Sequence, residues 1–251
     1  MTAGKIPLLH TTMAGLLLAA LTWAPAAMAR KNRNPDTSQA VDSGTFVVVV
    51  KSQRVATETF HIAQGTAFST ASSEFKGEIG EKVLQKAELQ ITPAGELHHY
   101  EWRELSPRKE QITVEPSEQN LVEHIVPEPP ERPVTQGYLL PLTTMVLDDY
   151  FFSQREVLAW RYLAQSCGGD LKQCRPGVLQ LGVLVPRRRL PLVVTIENAG
   201  PEKVKLNGSE QDLNRLNLKI PDEADWVLYL DVNFKLVRIL IPAEDTEIVR
   251  E

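Results

Sequence analysis

From Gly44 to its end the chain is a succession of short segments rich in Val, Ile, Thr and aromatic residues, broken by turn residues about every ten positions. Such side chains fit a pleated, half-buried surface, so the pattern predicts an all-β domain. Strands are expected near 45–51, 54–63, 66–75, 82–91, 97–105, 111–115 and 121–126. A second series is expected near 178–185, 190–197, 203–206, 213–220, 224–230, 234–241 and 247–250.

Two stretches carry usable geometry. Val83, Ala87, Leu89 and Ile91 are interleaved with Lys82, Lys86, Glu88 and Gln90, which buries one strand face and wets the other. Thr92-Pro93-Ala94-Gly95 then closes a hairpin. The returning strand places His98, Tyr100 and Trp102 on one face, expected to look inward, and His99, Glu101 and Arg103 on the other. Asn207-Gly208 and Asp231-Val232-Asn233 mark tight turns.

The middle of the chain breaks this rhythm. Val126-Pro127-Glu128-Pro129-Pro130-Glu131-Arg132-Pro133 removes too many backbone donors for a central strand and reads as a stiff, solvated connection. A helix is expected over 148–164, where Leu147, Phe151, Leu158 and Tyr162 fall on one side and Asp148 is placed to cap it. Its expected role is to cover part of the sheet.

Residues 1–29 read as a secretory signal peptide, with Lys5 ahead of an apolar core over 13–21 and Ala27-Met28-Ala29 as the cleavage site. The apolar run is too short for the roughly 20 residues of a spanning helix. The expectation is an exported protein of the Gram-negative periplasm, with residues 30–43 a flexible lead and 44–251 one β-rich domain. Removing residues 1–29 takes away one Lys and no acid, so 32 acids face 26 bases, a net charge of -6. That balance disfavours a phosphate backbone as partner, so nucleic acid is excluded from the expected partners.

The opening Gly44-Thr45-Phe46-Val47-Val48-Val49-Val50, the hairpin ending in Tyr100-Glu101-Trp102, the mid-chain helix and the closing Trp226-Val227-Leu228-Tyr229-Leu230-Asp231 with Leu236-Val237-Arg238 carry a resemblance. The chain resembles a group of uncharacterised exported bacterial β proteins, themselves distantly similar to the lipoprotein-localisation half-barrel proteins. The resemblance implies a mainly β fold, a curved antiparallel sheet or half-barrel (β-clam) with one covering α-helix. It also implies an apolar cleft for a lipid-like ligand.

The chain has no G-x-S-x-G elbow, H-E-x-x-H, P-loop or G-x-G-x-x-G, so the usual triggers for hydrolase, zinc-protease and nucleotide chemistry are missing. No enzyme activity, cofactor or metal is therefore expected. His98 and His99, adjacent on a strand, point to opposite faces and cannot share a metal without a bulge. Asp148-Asp149 fits helix capping better than a catalytic carboxylate pair. Cys167 and Cys174 flank a Gly-rich loop directly after the helix, and in an exported protein such neighbours most simply form a disulfide. Arg187-Arg188-Arg189 reads either as a solvated hairpin tip or as an anion contact, for instance to lipid headgroups.

Two functions stay open on the sequence. The first is a non-enzymatic periplasmic binder of an apolar or lipid-like ligand or a lipidated partner. In that reading Phe151, Leu158 and Tyr162 project into a cleft, Trp102 and Trp226 approach from the sheet, and Arg187, Arg188 and Arg189 meet the headgroup. The second is a structural or interaction module of the cell envelope with no cleft.

Overall fold

Strand direction and facing follow the two-residue period of the side chains in the computed structural model, which describes residues 38–168, 177–206 and 208–251. On β2 (Gln53–Gln64), for example, Ala56, Glu58, Phe60 and Ile62 are buried, while Thr59 and His61 between them face water. The other strands of the first half are β1 (Gln39–Val50), β3 (Ser69–Gly77), β4 (Leu84–Ile91), β5 (Leu97–Ser106), β6 (Glu110–Ser117), β7 (Asn120–Val126) and β8 (Val134–Tyr138). A two-residue β9 (Met145–Val146) leads to the helix α1 (Ser153–Ser166). The second half is β10 (Val178–Val185), β11 (Leu190–Leu206), β12 (Ser209–Lys219), β13 (Trp226–Leu230), β14 (Leu236–Ile241) and β15 (Thr246–Arg250).

These form one sheet of fifteen strands in the order β8-β7-β6-β5-β4-β3-β2-β1-β15-β14-β13-β12-β11-β10-β9. Nearly all neighbours are sequential antiparallel hairpin partners, as short turn-punctuated segments require; β9 alone runs parallel, to β10. The first and last strands meet at a seam, with Phe46 opposite Arg250 and Val50 opposite Thr246. The sheet curls around α1 without closing. Edge strand β9 is led in against β5, where the Leu97 N–H donates to the Leu142 carbonyl at 2.7 Å, and does not pair with the other edge, β8. Leu158, Ala159 and Tyr162 of α1 are fully buried in a core shared with strands from both halves. A curved sheet with one covering helix is thus the observed architecture.

Local departures from the expected boundaries have identifiable causes. β1 starts at Gln39, inside the stretch expected to be a flexible lead, because residues 39–43 pair with the end of β2 and Asp42 is clamped by Arg250 and Lys235. β11 is one strand where two were expected, since Gly200, at φ +88°, absorbs a bulge at 198–200 and pairing continues past it. The Thr92–Gly95 turn forms as expected, with Gly95 N–H donating to the Thr92 carbonyl at 2.8 Å. Beside it a bulge pairs Gln90 with His99 and Ile91 with Leu97. Leu97 therefore turns inward with Tyr100 and Trp102, and His98 faces out to stack on Phe68.

The helix begins five residues later than expected. Asp148 does not cap it: its carboxylate accepts from the Tyr100 hydroxyl at 2.6 Å and from Arg187 Nε at 2.7 Å. The free N–H groups at the helix start are met instead from across the interior by Glu58 on β2. Its carboxylate accepts from the Phe152 N–H at 2.6 Å, the Ser153 N–H at 3.2 Å and the Ser153 hydroxyl at 2.7 Å. One turn on, Glu156 accepts from the Leu236 N–H at 3.1 Å and lies beside Asp42 and Arg250. Arg155 donates to the carbonyls of Asp148 and Phe151 and lies over the Trp226 ring at 4.9 Å. The first turn of α1 is thereby tied to β1, β2, β13, β14 and β15 by buried polar groups, which fixes how the rest of the helix lies on the sheet.

Candidate functional site

Beyond that anchored turn, α1 and the sheet separate. Val157, Trp160, Arg161 and Ala164 form one wall of a cleft of about 420 Å³. The facing wall comes from the end of β2 (Ile62, Ala63, Gln64), the start of β3 (Ser69, Thr70, Ala71) and the end of β4 (Leu89, Ile91). The Thr92–Gly95 turn, Val41 and Met145 complete it. The volume is within the range of about 300–1,000 Å³ common for small-molecule sites, and the lining is mainly apolar with a few polar groups, the usual composition of such sites. Small side chains at Ala63, Ala71 and Ala164 leave the space open. The Trp160 ring is fixed at the wall by its Nε1–H, which donates to the Phe234 carbonyl at 2.7 Å.

Among the described residues Arg161 is the one charged residue bordering the cleft. Its guanidinium packs on the hairpin turn at Gly95, where a Cβ would collide with it and where φ is +78°. Its Nε is buried with no hydrogen-bond partner, and no carboxylate pairs with it among the described residues.

A second hollow, of about 480 Å³, lies toward the other end of β1. Val48, Val50, Phe75, Phe152, Trp226 and Ile248 contribute its apolar lining, and Asp149, Asp222, Glu223, Glu244 and Arg188 its charges. It has more polar surroundings than the first cleft and is partly self-neutralised, because Arg188 pairs with Asp149 at 2.6 Å and also with Glu223.

The residues singled out from the sequence are distributed differently. Trp102, Phe151, Leu158 and Tyr162 are wholly or almost wholly buried in the core, and none of them lines the 420 Å³ cleft. Trp226 borders the second hollow. The arginine turn is divided. Arg187 is not a solvated tip residue: its side chain is 14% exposed, pairs with buried Asp148, and lies over the rings of Trp102 at 5.3 Å and Tyr150 at 4.6 Å. Arg188 bridges two carboxylates, and only Arg189, at φ +53°, matches the exposed turn residue expected. Cys167 is buried at the end of α1, while Cys174 and the expected signal peptide lie outside the described residues.

The interior carries perturbed acids that line neither hollow. Burial pushes Glu123 up to about 6, although the Tyr138 hydroxyl donates to it at 2.7 Å. Burial and the neighbouring Asp42 carboxylate push Glu156 up to about 9. Burial raises Asp42 too, but hydrogen bonds from Arg250 and Lys235 more than offset this and hold it well below the usual carboxylate range. Asp42 is enclosed by cationic donors, whereas Glu123 Oε1 and Glu156 Oε2 are buried without a donor, as suits acids whose protonated form is favoured. Among the described residues no group of three or more His, Cys, Asp or Glu side chains is placed to hold a metal ion, and no helix is long and apolar enough to cross a membrane. No family model, curated protein or solved structure matches the chain.

Proposed function

We propose that this protein is a non-enzymatic binding protein of the cell envelope whose cleft beside α1 takes an apolar, lipid-like ligand or the acyl part of a lipidated partner. The observation that carries this reading is the cleft itself, mainly apolar on both walls and left open by the small side chains of Ala63, Ala71 and Ala164. The resemblance to exported half-barrel proteins points the same way. The test uses the neutral apolar dye N-phenyl-1-naphthylamine, whose fluorescence rises on leaving water. Dye binding by the unmodified protein and its loss in Ala164→Trp, which fills the cleft from an exposed helix position, are expected. Absence of dye binding would instead favour an interaction module, with the 91% exposed Leu139 beyond edge strand β8 as the surface to examine.

A further inference from the structure

An unpaired guanidinium at an apolar cleft is costly unless something else answers its charge. The other buried or half-buried arginines among the described residues are answered within the chain. Arg187 has Asp148, Arg215 has Glu202, Arg238 has Glu247 and Arg250 has Asp42, while Arg155 has backbone carbonyls. Arg161 is the exception. Among the described residues it has no such partner and no Asp or Glu borders the cleft it faces, and its Nε is shielded from water. Its position is set by the helix that carries it and by the Gly95 turn, where a Cβ would collide with the guanidinium.

Resting on the reading of the cleft as a ligand site, we infer that Arg161 is the headgroup residue and that the ligand is a single-chain amphiphile ending in one carboxylate. The planar fork of the guanidinium presents paired N–H donors that match a carboxylate's two oxygens. The tail would lie along Ile62, Ala71, Leu89, Met145 and Val157, apolar residues that line the same cleft. One arginine matches one negative charge. On a chain with a net charge of -5 the local positive site is not part of a general attraction for anions. The second hollow, edged mainly by carboxylates, lacks this complementarity.

Four twelve-carbon probes separate the possibilities by displacing N-phenyl-1-naphthylamine at fixed ionic strength: dodecanoate, dodecan-1-ol, dodecyl phosphate and dodecylammonium. The unmodified protein is expected to bind dodecanoate about tenfold or more tightly than dodecan-1-ol, the size of a charge-assisted hydrogen bond. Arg161→Gln should erase that preference by weakening dodecanoate alone, with dodecan-1-ol affinity and melting temperature unchanged. Arg161→Glu should turn the preference toward dodecylammonium. If the unmodified protein binds dodecanoate and dodecan-1-ol equally, or if Arg161→Gln weakens both alike, the role of Arg161 is overturned while the cleft stands. Tighter binding of dodecyl phosphate than of dodecanoate would overturn the carboxylate assignment. If no probe displaces the dye, the ligand-site reading itself falls.

Discussion

Replacing Glu156 by Gln should make the protein more stable, by an amount that grows with pH. Glu156 lies on the first turn of α1, fully buried, with Asp42 from β1, Arg250 from β15 and Lys235 ahead of β14 grouped around it. Burial first and the Asp42 carboxylate second raise it from 4.5 to about 9. The folded protein therefore holds a proton over most of that interval that the unfolded chain has released, and stability falls as pH rises through it. At about 1.4 kcal/mol per pH unit, the stability of Glu156→Gln relative to the unmodified protein should widen by about 3 kcal/mol between pH 5 and pH 7.5. Gln keeps the shape of the protonated acid, an acceptor for the Leu236 N–H and a donor toward Asp42. The raised Glu123 is common to both proteins and cancels. Asp42, held low, loses its stabilising effect only as pH falls below its unfolded value of 3.8, outside the window. Urea unfolding followed by tryptophan fluorescence at the two pH values measures the difference. A gap that stays constant would mean that Glu156 is ionised in the fold and would refute the reasoning.

Arg187→Ser should cost about 3–5 kcal/mol, because it leaves Asp148 buried without its cation, whereas Arg189→Ser should change stability by less than about 0.5 kcal/mol. Equal effects in urea unfolding would show that the Arg187–Asp148 pair does not form. Glu58→Ala should cost at least about 2 kcal/mol by orphaning the Phe152 and Ser153 N–H groups. Hydrogen exchange should show those two amides opening before the rest of α1. Cys167 and Cys174 are predicted to be disulfide-linked, closing a short loop with a contribution of about 2–3 kcal/mol. The intact mass of the unreduced protein should be lower by two hydrogens, and two titratable thiols would exclude the bond.

What could be read from the chain was periodic, and what could not was relational. The strands were legible because inward positions repeat every second residue, and the buried side of α1 because Leu158 and Tyr162 share one stripe. The same periods also carried an unheeded sign of the interior polar groups. Glu58 keeps phase with Ala56, Phe60 and Ile62, Glu123 with Leu121 and Ile125, and Arg155 stands on the stripe of Phe151 and Leu158. A charge in phase with a core must be paired, but its partner lies elsewhere in the chain: Glu58 meets residue 153, and Asp42 meets residue 250. Arg161 offered less still, since lacking a partner is a property of the space around a side chain. The placement of these groups also separates support from site. Glu58, Arg155 and Glu156 all act at the start of α1, whereas Val157, Trp160, Arg161 and Ala164 face the cleft from its later turns. Holding the helix by its first turn lets its remaining length border an open space without loosening the fold, and leaves Arg161, which no carboxylate of the described residues pairs with, beside that space.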